Sequence, residues 1–153
     1  MTLLNHLTPE AVSVDLKAPS RDGVLSEMVE LLRNGGRLPD AAAALEAVRH
    51  RELQGSTGCG SGVAVPHARV AGLKQPMVAV GISRKGVDFA AVDGQPVNIF
   101  FLVLGPQNAP ESFLKLLSQI ARLVRVPEVR GRLSSCGSAT EVIELIRDES
   151  API

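Results

Sequence analysis

Val97-Asn98-Ile99-Phe100-Phe101-Leu102-Val103-Leu104 holds one polar residue in eight. A run so continuous in apolar residues reads as an interior strand covered on both faces, since a solvated face would impose polar alternation. Helices must therefore flank the sheet on both sides, and the sequence around the run supplies them. Downstream, Pro110 opens a helix with Phe113, Leu114, Leu116, Leu117, Ile120, Leu123 and Val124 at helical spacing, and Pro127 ends it. A shorter helical segment follows over Glu128 to Leu133. Ser138-Ala139-Thr140-Glu141 then reads as a capping box ahead of the stripe Val142, Ile143, Leu145 and Ile146.

Upstream, Met77 to Ile82 and Val63 to Val70 read as strands, and Val87-Asp88-Phe89 as a short edge strand before the Asp93-Gly94 turn. Val12, Val14 and Leu16 alternate with polar residues as in a half-buried strand. Ser20 is placed to cap a helix with the stripe Val24, Leu25, Met28, Val29, Leu31 and Leu32, which Asn34-Gly35-Gly36 terminates. Pro39-Asp40 opens an alanine-rich helix running to about Leu53, with Arg51 and Glu52 in its last turn. The expected fold is α/β: one domain with a mixed central sheet of about five strands, flanked by helices on both faces. It spans residues 1–153 with a core over about 3–149, the first few residues and Ala151 onward reading as loose tails.

Composition narrows the function classes. The chain carries 16 basic and 16 acidic residues, so the basic footprint of a nucleic-acid binder is missing. Four Phe with no Trp or Tyr leave no stacking platform for single-stranded bases. No apolar run approaches the ~20 residues of a membrane span, and the first residues do not form a secretory signal. Direct membrane insertion is not expected. Two cysteines, Cys59 and Cys136, are too few for a disulfide framework, and a cytoplasmic location is the expectation.

Chemistry concentrates in Ser56-Thr57-Gly58-Cys59-Gly60-Ser61-Gly62-Val63-Ala64-Val65-Pro66-His67-Ala68-Arg69. Imidazole is nucleophilic when neutral and titrates near pH 6.5, which suits it to accept and return a phosphoryl group. Glycines Gly58, Gly60 and Gly62 would let backbone N–H groups approach an anion as a nest, and the Ser56 and Thr57 hydroxyls would add donors. Arg51 could present a bidentate fork to the same oxygens. Other motifs fail on context. Gly58-Cys59-Gly60 precedes a strand rather than a helix, so it is no dinucleotide fingerprint, and no GxxxxGK[ST] loop exists. His6, His50, His67 and Cys59 lack paired ligand spacing, so no metal site is expected. Taken alone, the histidine would read as an ordinary structural or exposed residue, and the glycines as an ordinary connection.

The combination is more specific. Arg51-Glu52, Gly55-Ser56-Thr57-Gly58, Gly60, Gly62 and Ala64-Val65-Pro66-His67 together resemble the signature of the fructose/mannitol-type EIIA domains of the bacterial phosphoenolpyruvate-dependent phosphotransferase system, a group that includes nitrogen-regulatory EIIA proteins. The resemblance continues through Val87-Asp88-Phe89, Asp93-Gly94-Gln95-Pro96-Val97, Phe100-Phe101-Leu102 with Pro106, and Leu114 to Leu123. It implies phosphorylation of His67 on Nε2 by an HPr-like phosphohistidine carrier. Onward transfer to an EIIB cysteine, or retention as a regulatory mark read by a target protein, would follow. It also implies a phosphate-stabilising role for Arg51, loop positions bordering the phosphohistidine for Ser56 and Thr57, and no metal or organic cofactor. Arg69 and Phe113 are candidates for the partner-facing rim, with core packing as the other reading of Phe113. Two departures stand out: many relatives place a second histidine where this chain has Phe113, and a carboxylate where it has Ala71. Both losses favour a regulatory role.

Overall fold

The computed structural model describes residues 2–150. Its strands are β1 Val12–Ser13, β2 Gly58–Gly60, β3 Val63–Ala64, β4 His67–Val70, β5 Met77–Val87 and β6 Val97–Pro106. The helices are α1 Thr2–Asn5, α2 Arg21–Asn34, α3 Ala41–Gln54, α4 Pro110–Val124, α5 Pro127–Ser135 and α6 Ala139–Ser150. The strands form one mixed six-stranded sheet in the order β1-β5-β6-β3-β2, with β4 also paired to β6. That is one strand more than expected: the glycine stretch adds β2 and the Val63–Val70 stretch divides into β3 and β4, while Val87-Asp88-Phe89 adds none.

The apolar run sits on β6, at the centre, where pairing on both edges and cover on both faces remove it from water. Phe100, Leu102 and Leu104 face one layer, packed with Val24 and Met28 of α2 and Val48 of α3. Ile99, Phe101 and Val103 face the other, packed with Leu116 and Ile120 of α4, Leu133 of α5 and Val142 of α6. Each such fully buried side chain contributes about 1.5–3 kcal/mol by leaving water. These two layers hold the sheet rigid behind the functional residues.

Local signals explain the helix starts. The Ser20 hydroxyl accepts from the Gly23 N–H at 3.1 Å, and the Asp40 carboxylate accepts from the Ala43 N–H at 3.0 Å. Ser138 Oγ accepts from the Glu141 N–H, while the reciprocal bond of the capping box shifts by one residue: Glu141 accepts from the Gly137 N–H at 3.0 Å.

Several expectations need correction. The first residues are not a loose tail, since α1 buries Leu3 and the following Leu7 against the α4–α6 layer; Ala151 onward lies outside the described residues. Val87-Asp88-Phe89 is not a separate edge strand: Val87 closes β5 and pairs with Val97, and the Phe89 ring enters the core. Leu114 does not share the buried stripe of α4 and is 62% exposed.

The stretch from Val63 to Val70 runs along one side of β6 in a single parallel register, Val63 opposite Ile99 and His67 opposite Val103. Val65-Pro66 interrupts it, because a proline has no N–H to give to the ladder. The Pro66 carbonyl still accepts from the Val103 N–H at 3.0 Å, so register is kept through the break. His67 is the first residue after that break.

Candidate functional site

His67 is half-buried and held by its own chain. Its Nδ1 lies 2.7 Å from the Val65 carbonyl oxygen. A carbonyl only accepts, so Nδ1 carries the proton and the neutral ring has its lone pair on Nε2. That bond restrains the ring and sets its tautomer.

The ring lines an open cleft of about 800 Å³ walled by Ala43, Glu46, His50, Arg51, Gln54 and Gln107, with Arg69 and Phe113. α3 packs against β4, which brings the last turns of that helix opposite His67. Arg51 Nη1 donates to the Gly55 carbonyl at 2.8 Å. That bond closes the C-terminal end of α3 and steadies the guanidinium, whose other N–H groups make no hydrogen bond among the described residues. Arg69 is exposed at the rim. Two cations and a nucleophilic imidazole around one solvent-open cleft suit a transferable oxyanion.

Phe113 departs from the rim reading. It is only 7% exposed, its ring centroid lies 5.8 Å from that of His67 with the planes tilted by 55°, and it supports the histidine from below rather than facing a partner. The approach requires glycine opposite: a Cβ on Gly105 would stand 2.4 Å from Phe113 Cδ1. Core packing describes this residue.

The glycine stretch is also corrected. β2 and β3 form an antiparallel hairpin turned by Ser61 and Gly62, both with positive φ (58° and 79°), the twist of tight hairpin turns. Several of its donors are already committed. The Thr57 N–H and hydroxyl both donate to the carboxylate of Glu52, which is 5% exposed. The Gly58 N–H donates to Ser56 Oγ at 3.0 Å, and Ser56 Oγ donates to the Phe89 carbonyl at 2.6 Å. The Ser61 N–H donates to Asp93 at 3.0 Å. Ser56, Thr57, Gly58, Gly60 and Gly62 do not line the cleft, so the expected anion nest is a buttress instead. The Cys59 side chain beside them is exposed overall, and partial burial and then the Glu52 carboxylate push its thiol above the ordinary pKa.

Sequence reasoning missed Glu46, His50, Gln54 and Gln107. Gln54 Nε2 lies 3.4 Å from His50 Nδ1, one helical turn away. The one available signal was helical spacing: positions 43, 46, 47, 50, 51 and 54 form one face of α3.

Comparison with known proteins places this architecture. The family model described as "Phosphoenolpyruvate-dependent sugar phosphotransferase system, EIIA 2" matches residues 5–149. The chain is 34% identical, over 95% of its length, to the fructose-specific EIIABC component of Bacillus subtilis, of which it spans 23%. The crystal structure of nitrogen regulatory protein IIA-Ntr from Neisseria meningitidis superposes with a TM-score of 0.89 at 34% identity, covering 95% of this chain and 99% of that one. A complex of enzyme IIA mannitol with phosphorylated enzyme IIB mannitol from Escherichia coli gives a TM-score of 0.78 at 20% identity, covering 93% and 97%. Among the described residues no helix is long and apolar enough to cross a membrane, and no cluster of three metal-ligating side chains occurs.

Proposed function

This chain belongs to the EIIA 2 family of the phosphoenolpyruvate-dependent sugar phosphotransferase system, and we propose that it acts there as a phosphocarrier through His67. The unit is a single EIIA domain with its core over residues 3–149, working in the cytoplasm. Nε2 of His67 attacks the phosphorus of a phosphohistidine on an HPr-like donor; the donor's P–N bond breaks and its electron pair returns to the donor ring. EIIA domains pair with EIIB domains, as in the mannitol complex. In the second half-reaction an EIIB cysteine thiolate attacks the phosphorus, the P–Nε2 bond breaks, and His67 regains its lone pair. Phosphoryl transfer asks mainly for positioning and for stabilisation of spread negative charge. Arg51 supplies the charge, and the Val65 carbonyl does the positioning. No metal or organic cofactor is required, because the donor protein brings the phosphate.

The observation that carries this reading is the 2.7 Å bond from Nδ1 to Val65 O in a ring that lines an open cleft. It dedicates Nε2 to the substrate. Incubation with phosphoenolpyruvate, enzyme I and an HPr-like carrier should label the protein with an alkali-stable, acid-labile phosphate that His67→Ala abolishes. An unlabelled wild type, or a fully labelled His67→Ala, would overturn it.

A regulatory role is the second reading. Phe113 presents an apolar ring to His67, where a hydrogen-bond donor would assist onward transfer, and the likeness to IIA-Ntr points the same way. Under this reading the phosphorylated protein keeps its label when mixed with EIIB, while phosphorylation changes its affinity for a transporter or kinase.

A further inference from the structure

A second cavity, about 450 Å³ in volume, shares no lining residue with the His67 cleft. It forms where the end of α2 meets the turn between β4 and β5, roofed by the segment after α1. Its size falls within the range of small-molecule sites. The floor is apolar: Leu31, Leu32, Leu73, Met77 and Val78. The polar lining is one-sided in charge. Arg37 and Lys74 are its charged groups, His6, Thr8 and Gln75 complete it, and no carboxylate belongs to the wall. Neither cation forms an ion pair among the described residues. Burial first, and then the neighbouring Arg37, hold the His6 imidazole below its ordinary pKa, so at neutral pH it is an uncharged donor or acceptor. Glu10 lies outside the wall, and Arg37 is only the smallest of the influences that lower its carboxyl.

From this we infer that the cavity is a binding site for a small amphipathic anion, its head held by Arg37 and Lys74 and its apolar body laid on Leu31, Leu73 and Met77. Neither element of the match works alone. An exposed pair of cations without an apolar floor gives weak, salt-screened attraction. An apolar hollow without cations does not select a charge. Together they favour one sign of head group on a body able to displace water from leucine side chains.

Decanoate, at concentrations below those at which it forms micelles, is the probe. Titration followed by backbone amide resonances should give a saturable shift centred on residues 31–37 and 72–78. Decyltrimethylammonium, with the same tail and opposite charge, should leave those residues unmoved, and inorganic phosphate alone should bind far more weakly than decanoate. Arg37→Glu/Lys74→Glu should lower decanoate affinity by at least about tenfold, because two attractive charges become repulsive ones. Both positions are exposed, so thermal melting of the variant should match the wild type; Arg37→Lys/Lys74→Arg should keep binding and so separates charge from fold. A non-saturating response, shifts centred elsewhere, equal binding of the cationic amphiphile, phosphate as tight as decanoate, or an unchanged affinity in the charge-reversed variant would each overturn the inference.

Discussion

The glycine hairpin and the His67 cleft are neighbours in sequence, yet their polar groups are in opposite conditions. In the hairpin three donors have fixed acceptors: Thr57 on Glu52, Gly58 on Ser56, Ser61 on Asp93. In the cleft, His67 spends one ring nitrogen and keeps the other, and Arg51 spends one arm of its guanidinium. The difference teaches which residues do chemistry and which hold them still. A satisfied donor cannot take up a passing phosphoryl group without breaking an existing bond, whereas an open lone pair or N–H can.

That contrast sets the order of expected effects. Arg51→Ala should reduce phosphoryl acceptance by about 100-fold, the scale of losing one preorganised charge donor. Arg51→Lys should recover only part of it, because a point charge cannot reproduce the fork that also caps α3. Thermal stability should change little, and measuring initial labelling rates beside melting curves checks both halves. If Arg51→Ala labels normally, the cleft side of the comparison fails.

The hairpin side should show the reverse pattern. Glu52→Ala strands the buried Thr57 N–H and hydroxyl, and should cost about 1–3 kcal/mol for each buried group left unsatisfied. Urea unfolding should register that loss, while labelling of the folded fraction persists. Gly58→Ala should cost somewhat less, about 1–3 kcal/mol in all, because the new methyl would lie 2.8 Å from the Ala91 backbone and force the two loops apart. A Gly58→Ala protein with wild-type stability but lost labelling would show the hairpin acting directly on phosphate.

The smallest effect concerns Asp93. Its carboxyl is held below the usual aspartate range, chiefly by the Ser61 N–H and then by that of Gln95. A carboxylate depressed in the folded state stabilises the protein fully above the unfolded pKa, near 3.9, and loses that contribution as pH falls through the lowered folded value. The stability difference between wild type and Asp93→Asn should therefore be constant at neutral pH and shrink only below about pH 4. A difference that disappears between pH 5 and 7 would assign the hairpin's pH response to another group.

Much of the fold was legible from local chemistry. Ser20, Asp40 and Ser138 announce helix starts because a side-chain oxygen one residue ahead of a helix satisfies N–H groups that the helix cannot. The nearly unbroken apolar run of β6 announces a central strand, and hence two helical layers. Less of the site was legible. Glu46, His50 and Gln54 lie on an exposed face of α3 that looks like any solvated helix until β4 is packed against it. Nothing near Leu3 and Leu7 announces their burial, because their partners in α4 to α6 are more than a hundred residues away.

What the residues determined alone is the reactive group and its neighbourhood in the chain: an imidazole behind a proline, an arginine at a helix end, and the periodicities of strand and helix. These depend on interactions within a few residues, which any stretch of chain carries with it. Tertiary structure decided the rest. It turned the glycines from an anion cradle into a closed hairpin, pressed Phe113 beneath His67, and brought α3 across from β4 to wall the cleft. Whether a donor is open to a ligand depends on acceptors far away in sequence, such as Asp93 for Ser61, and only packing brings those together.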